Sequence, residues 1–291
     1  QTSADVQPMQ THYAFTCGDV DLKVTFTAPL FMEDLKLLSR PVNYLTYSVA
    51  ARDGREHEVE VYFEASPRWA LDQPYQQSAS KGYEADGLLY LKSGSKEQNI
   101  LAKQGDDLRI DWGYFYMVAG KENTAYSVGN STELRKNFVN GTLNSASLEG
   151  EDSNGNMALV RSHGKVKNVT DKIMLGYDDI YSIQYFGTNL RPYWNSKGDR
   201  TIEAEMLAAY NEYDKLLARC YAFDKKLMED ASAAGGKEYA ELCALAYRQS
   251  IAAHKLVEAP NGDLLWLSKE NNSNGCINTV DLTYPSAPLY L

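Results

Sequence analysis

The chain has 291 residues, enough for two domains each with its own core, and its 44% hydrophobic and 23% charged content is ordinary for a folded globular protein. A formal net charge of -10, with no Lys/Arg cluster, excludes the phosphate neutralisation that nucleic-acid binding needs and disfavours an anionic membrane surface. No apolar run approaches the roughly 20 residues that span a bilayer, so no membrane span is expected. No signal peptide stands at Gln1; a leader, if there is one, has been removed or lies outside this sequence.

Taken in order, the chain reads first as a run of strands. Val20–Thr27 and His57–Ala65 alternate apolar and polar residues, the second with Val59, Val61 and Phe63 on one face. Asn43–Ala51, Asp107–Ala119 and Lys172–Gly187 carry similar patterns. Arg52-Asp53-Gly54-Arg55 joins two of these runs with the chemistry of a hairpin turn. Phe31–Pro41 breaks the pattern and is expected as a crossover between two sheets. Asn144–Asn156 is polar and glycine-containing, a loop within the domain, and Ala158–Val166 returns to the sheet. Strands without long intervening helices, and 21 tyrosines in all, predict a two-layer antiparallel β-sandwich over residues 1–197.

The character changes at Asn195–Asp199, where the second predicted domain, residues 198–291, begins. Thr201–Ala233 holds no Gly or Pro, and Ile202, Met206, Tyr210, Tyr213, Leu217, Cys220 and Leu227 recur near helical spacing. Thr201 with Glu203 and Glu205 makes an acidic helix start, Gly235-Gly236 ends the helix, and Glu238–Glu258 is its antiparallel partner. Such a hairpin is too thin to bury both faces by itself. Folded about Ala234, it would leave Cys220 and Cys243 roughly 7 Å out of register, beyond comfortable disulfide reach, so free thiols are expected. The other cysteines, Cys17 and Cys276, form no zinc spacing, and no metal site is predicted. A Pro-Asn-Gly turn and a short apolar strand then lead into a loop dense in amides and carboxylates, and the apolar PSAPLYL at the end suggests a fragment.

Few motifs carry chemistry. The S-x-x-K strings at Ser93–Lys96 and Ser162–Lys165 sit between strands rather than on a helix, where amine and hydroxyl would meet. Asp178 and Asp179 are neighbours in an apolar run and would point to opposite faces, which suits a cap or salt bridge at the domain boundary. Asn189–Trp194 reads as a planar-ligand shelf or as the seam between domains. His254 is placed on the second helix, with Glu258 one turn on to hold its tautomer. Glu270 and Asp281, separated by a loop, can converge across a cleft as general acid and base must; the alternative is a solvated loop or an Asn/Asp cation site. Phosphate loops, dinucleotide fingerprints and H-E-x-x-H are absent, so no cofactor is expected.

The strings KENNSNGCINTVDLTYPSAPLYL and AELCALAYRQSIAAHKLVEAPNG resemble the glutaminase A family of fungal and bacterial proteins. Upstream, VTFTAPLFMEDLKLLSRPVNYLTYSVAARDG and MLGYDDIYSIQYFGTNLRPYW are similar to that family's β domain and to its junction with the helical domain. The resemblance implies a glycosidase-type super-sandwich followed by the first hairpin of a truncated (α/α)6 toroid. It also implies a secreted or periplasmic amidohydrolase that acts on glutamine, with further sequence on both sides of this chain. In that chemistry Asp281 would activate water, Glu270 would be the acid, and Asn274 or Asn278 would hold the oxyanion. Lys269, Tyr284 and His254 complete the substrate-binding set. A glycan substrate is the rival reading, since paired carboxylates and TNLRPYW also suit sugars; a non-catalytic structural module is the third.

Overall fold

In the computed structural model, residues 1–143, 152–153, 155–269 and 274–287 are described. The β region comprises β1 (Ser3–Val6), β2 (Gln10–Cys17), β3 (Val20–Thr27), β4 (Val42–Ala51), β5 (His57–Ala65), β6 (Ser78–Ala85), β7 (Leu88–Ser95), β8 (Tyr114–Gly120), β9 (Thr124–Gly129), β10 (Asp152–Ser153), β11 (Asn156–Val166) and β12 (Asn168–Asp178). Nine pair antiparallel in the order β1-β2-β3-β4-β12-β8-β7-β6-β10; β5-β11-β9 form a smaller sheet. The sandwich is therefore lopsided, and its large sheet needs a second cover.

Helix α3 (Ile202–Gly235) supplies part of that cover. Strand alternation sends Leu89, Leu91, Phe115, Met117 and Ile173 toward the small sheet. It sends Leu88, Tyr90, Tyr116, Val118 and Met174 toward α3, whose Ile202, Met206, Ala209, Tyr213, Leu216 and Cys220 form one buried stripe. Strands β7 and β8 are thus buried on both faces, which is why they read as continuous apolar runs. Each large side chain so buried contributes about 1.5–3 kcal/mol. The tyrosines add polar anchors: Tyr44 donates to the Ala209 carbonyl at 2.8 Å, and Tyr83 to Glu203 at 2.7 Å.

Thr201 caps α3, accepting from Ala204 N at 3.2 Å, with Glu203 and Glu205 in the first turn. Gly236, at φ +86°, turns the chain into helix α4 (Lys237–Ala252). Phe223 packs on Tyr247, ring centroids 5.0 Å apart, so α4 folds back along the second half of α3. All four cysteines are free, Cys220 fully buried.

Several connections differ from their sequence reading. Arg52–Arg55 is no hairpin, because β4 pairs with β3 and β12 while β5 pairs with β11; this loop is the crossover between sheets. Phe31–Pro41, with its short helix α1 (Leu35–Ser39), instead joins β3 to its own neighbour β4. The Asp107–Ala119 run becomes strand only at Tyr114, and Lys172–Gly187 breaks at Ile180, which has φ +58°. The expected 144–156 loop lies partly outside the described residues, and Asp152–Ser153 pairs with β6. Helix α2 (Ser131–Val139), capped by Asn130, follows β9.

The second helix stops at Ala252, short of the expected Glu258. Residues around the Pro-Asn-Gly turn form a hairpin, β15 (His254–Glu258) with β16 (Leu264–Ser268). A matching hairpin, β13 (Ile183–Tyr185) with β14 (Thr188–Leu190), packs on it through Ile183, Leu190 and Val257. This third small core is the seam between the β region and the C-terminal segment. Helix α5 (Val280–Thr283) follows at the surface.

Candidate functional site

A cleft of about 700 Å³ opens at this seam. One wall is the loop between β7 and β8, from Leu101 to Trp112; the other is β13, Lys255 of β15, Lys269 and the segment from Asn274 to Ile277. The two walls touch directly, since Gly275 N donates to the Gly105 carbonyl and Asp106 bridges Asn274. A volume of this size suits a small polar molecule.

Trp112 forms the floor. Its indole N–H donates to the carbonyls of Asp179 and Tyr181, both at 2.9 Å, and Tyr177 donates to its carbonyl at 2.6 Å. Gly113 makes this possible: its φ is +76°, and a Cβ there would stand 2.2 Å from the Asp178 carbonyl oxygen. The chain therefore passes against the end of β12 with no room for a side chain.

Charged groups line the cleft in pairs. Lys103 binds the buried Asp111 at 2.6 Å, and Arg109 binds the buried Asp72 at 3.4 Å. Across the cleft Lys255 binds the buried Asp179 at 3.0 Å, and Ser182 donates to the same oxygen at 2.7 Å. Burial by itself would raise the Asp179 carboxyl, but Lys255, Ser182 and Lys269 outweigh it and hold it below the ordinary carboxylate range. Asp179 is thus the boundary salt bridge its position suggested. Asp178 turns back to accept from Ile180 N, and burial raises its carboxyl.

Lys269 differs from the other cations. Burial first, and then the Lys255 charge, push it down to about 8, with Asp179 opposing. Its Nζ lies 5.6 Å from the Trp112 ring centroid. Its backbone is fixed by donation to the Ala253 carbonyl at 2.7 Å and by a bridge to Ile277.

Of the residues picked from sequence, Lys269 and Asn274 line this cleft. Asn274 also accepts from Cys276 N at 2.8 Å. Asn278 is exposed, at φ +57°, with its N–H donating to the Ser268 carbonyl. Asp281 and Tyr284 are exposed on and beside α5. Glu270 lies outside the described residues, so its convergence with Asp281 is not on view. His254 is corrected: it opens strand β15, its Nδ1 donates to the Ser250 carbonyl at 2.5 Å, and its ring stacks on Trp266 at 5.0 Å. Glu258, its expected partner, instead pairs with Lys197 and Ser196. Asn189–Trp194 is the seam: Leu190 and Trp194 are buried, and Pro192 bridges Val257. Ser93, of the first S-x-x-K string, is buried against Ser80, and Ser162 donates to Glu60.

Sequence reasoning passed over Asp72, Lys103, Asp111, Trp112 and Lys255. The available signal was Asp111-Trp112-Gly113, a charge and a glycine just ahead of the doubly buried run of β8.

A lopsided antiparallel sandwich, covered by the first arm of a helical hairpin, is the class of fold defined by these elements. A family model described as "Domain of unknown function (DUF5127)" matches residues 9–230, and one described as "Glutaminase A six helical-hairpin domain" matches residues 236–291. The chain belongs to this glutaminase A-like family. The first match ends at residue 230, within α3, and the second begins at residue 236, at the Gly235-Gly236 turn. "Glutaminase A" of Aspergillus oryzae is 28% identical over 309 residues, across 100% of this chain and 44% of its own length. "Probable glutaminase" of Arthroderma benhamiae is 24% identical over 321 residues, across 98% of this chain and 35% of its own length. The chain thus spans less than half the length of either relative.

Proposed function

We propose that this chain is the sandwich and opening hairpin of an amidohydrolase that converts glutamine to glutamate and ammonia outside the cytoplasm, secreted or periplasmic. The observation that carries the reading is the likeness, along this chain and over less than half of each relative, to two glutaminase-named proteins, together with the match of the helical-hairpin family model from residue 236 onward. Amide hydrolysis needs an activated water, donors for the oxyanion and an acid for departing ammonia. Asp281 is assigned to water, Glu270 to the acid, and Asn274 or Asn278 to the oxyanion. His254 stands outside the lining of the cleft that holds Lys269 and Asn274, with its Nδ1 engaged and its ring stacked on Trp266.

The reading has a structural corollary. Tyr239, Leu242 and Leu245 leave an exposed apolar face on α4, a face that further hairpins of a toroid would cover. Residues 1–291 alone are expected to be inactive. The test is ammonia release from L-glutamine by the whole protein containing this chain, and by its Asp281→Ala and Glu270→Ala variants. Both variants should lose activity by about a hundredfold or more. Release undiminished in both would remove the assignment.

A further inference from the structure

We propose that the seam cleft is a carboxylate-binding subsite, in which Lys269 holds the carboxylate of a free α-amino acid. The choice of an amino acid rests on the amidohydrolase reading; the carboxylate preference rests on the cleft alone.

The charge pattern points there first. Lys103, Arg109, Lys255 and Lys269 face the cleft, and three of them already own a carboxylate: Asp111, Asp72 and Asp179 respectively. Among the described residues Lys269 makes no ion pair. Arg109 also binds Asp107, at 2.8 Å, so among the described residues Lys269 is the cleft-lining cation that no carboxylate holds. A half-buried ammonium without a counter-ion is costly, and a bound carboxylate would supply one where the described residues do not. Burial first, and then Lys255, depress the proton affinity of Lys269, with Asp179 opposing.

Geometry makes the cation usable. Lys269 is pinned at its backbone on both sides, so its ammonium is delivered to the cleft by a fixed strand end. Trp112, clamped by its two indole hydrogen bonds, lies beneath as a flat apolar surface for the ligand's methylene chain. On the opposite wall Asp111 is 2% exposed at its side chain and is committed to Lys103, Gln76 and its own loop. Lys103 and Arg109 on that wall are each held by carboxylates, which leaves Lys269 as the cation for the ligand's carboxylate.

Binding should weaken as Lys269 loses its proton. The charged groups that face it are Lys255 and Asp179 from the seam and Lys103, Arg109 and Asp111 from the loop wall; their pairing leaves Lys269 as the group whose titration sets the profile.

The test is titration calorimetry of the 291-residue chain with L-glutamine, with glutaric acid monoamide, and with L-glutamine amide, in which a carboxamide replaces the carboxylate. The two carboxylates should bind, and the amide should bind roughly tenfold or more weakly. Lys269→Met should lose about tenfold for the carboxylates while keeping the far-UV circular dichroism, and Lys269→Arg should stay within a few-fold. Carboxylate affinity should fall between about pH 7 and about pH 9.5. Equal affinity for the amide, unchanged affinity in Lys269→Met, or no heat from either carboxylate would overturn the subsite. Failure of the amidohydrolase reading looks different: carboxylates bind through Lys269, yet the whole protein releases no ammonia from glutamine.

Discussion

Asp179→Ala probes the seam most sharply. Asp179 is 7% exposed, its partner Lys255 is 34% exposed, and they meet at 3.0 Å. Removing one member of a buried pair costs about 3–5 kcal/mol. Water reaches Lys255, which screens the charge left behind, so about 2–3 kcal/mol is expected from the pair. The Ser182 hydroxyl also loses its acceptor, adding about 1 kcal/mol. Urea unfolding followed by tryptophan fluorescence is the appropriate assay, because Trp112, Trp194 and Trp266 all lie at or beside the seam. Because the Asp179 carboxyl is held below its ordinary range, its contribution is present above the unfolded carboxylate pKa and is lost as pH falls. The variant and the parent should therefore converge in acid. Lys255→Met added to Asp179→Ala should restore most of the loss, since removing both charges is nearly neutral. A change below about 0.5 kcal/mol for Asp179→Ala, at neutral pH, would refute the claim that this pair holds the seam.

Gly113→Ala adds a left-handed alanine and a contact 2.2 Å from a backbone oxygen, so it should cost about 2–4 kcal/mol in urea unfolding; a neutral result would contradict the close approach. Asp224, whose Oδ1 accepts from Met9 N at 2.7 Å, is raised to about 7 by burial, so it loses stability for the fold as pH rises from about 4 through about 7. Asp224→Asn should flatten that decline, which paired unfolding curves at pH 5 and pH 8 would read, and an unchanged slope would count against it. Thiol titration should find Cys17 and Cys276 reactive in the native chain and Cys220 reactive only on unfolding, because burial pushes its thiol up to about 12. A Cys220 that reacts as fast as Cys17 would argue against the packing of α3.

Much of this architecture was readable from residue order. The helix start at Thr201, its end at Gly235-Gly236 and the one-face pattern of His57–Ala65 all follow from local chemistry, and local chemistry is what sequence displays. The two connections around β4 came out interchanged because a turn motif such as Arg52–Arg55 fixes a change of direction, not which strand lies beside the next. Leu108 and Ile110 alternate with charges as a strand would, yet in the fold Leu108–Trp112 line the cleft. His254–Glu258 was absorbed into the preceding helix although the runs on either side of Pro260-Asn261-Gly262 carry hairpin chemistry. The site was less legible than the fold for a physical reason. Asp72, Asp111, Asp179, Lys255 and Lys269 are scattered along the chain, and only pairing across the seam brings their charges together.

The proposed glutamine hydrolysis is open to one substrate screen. The whole protein containing residues 1–291 would be offered L-glutamine, L-asparagine and a panel of aryl-glycosides, with ammonia and aryl alcohol measured side by side. Ammonia from glutamine with no glycoside cleavage is the predicted result. Glycoside cleavage without ammonia would contradict it.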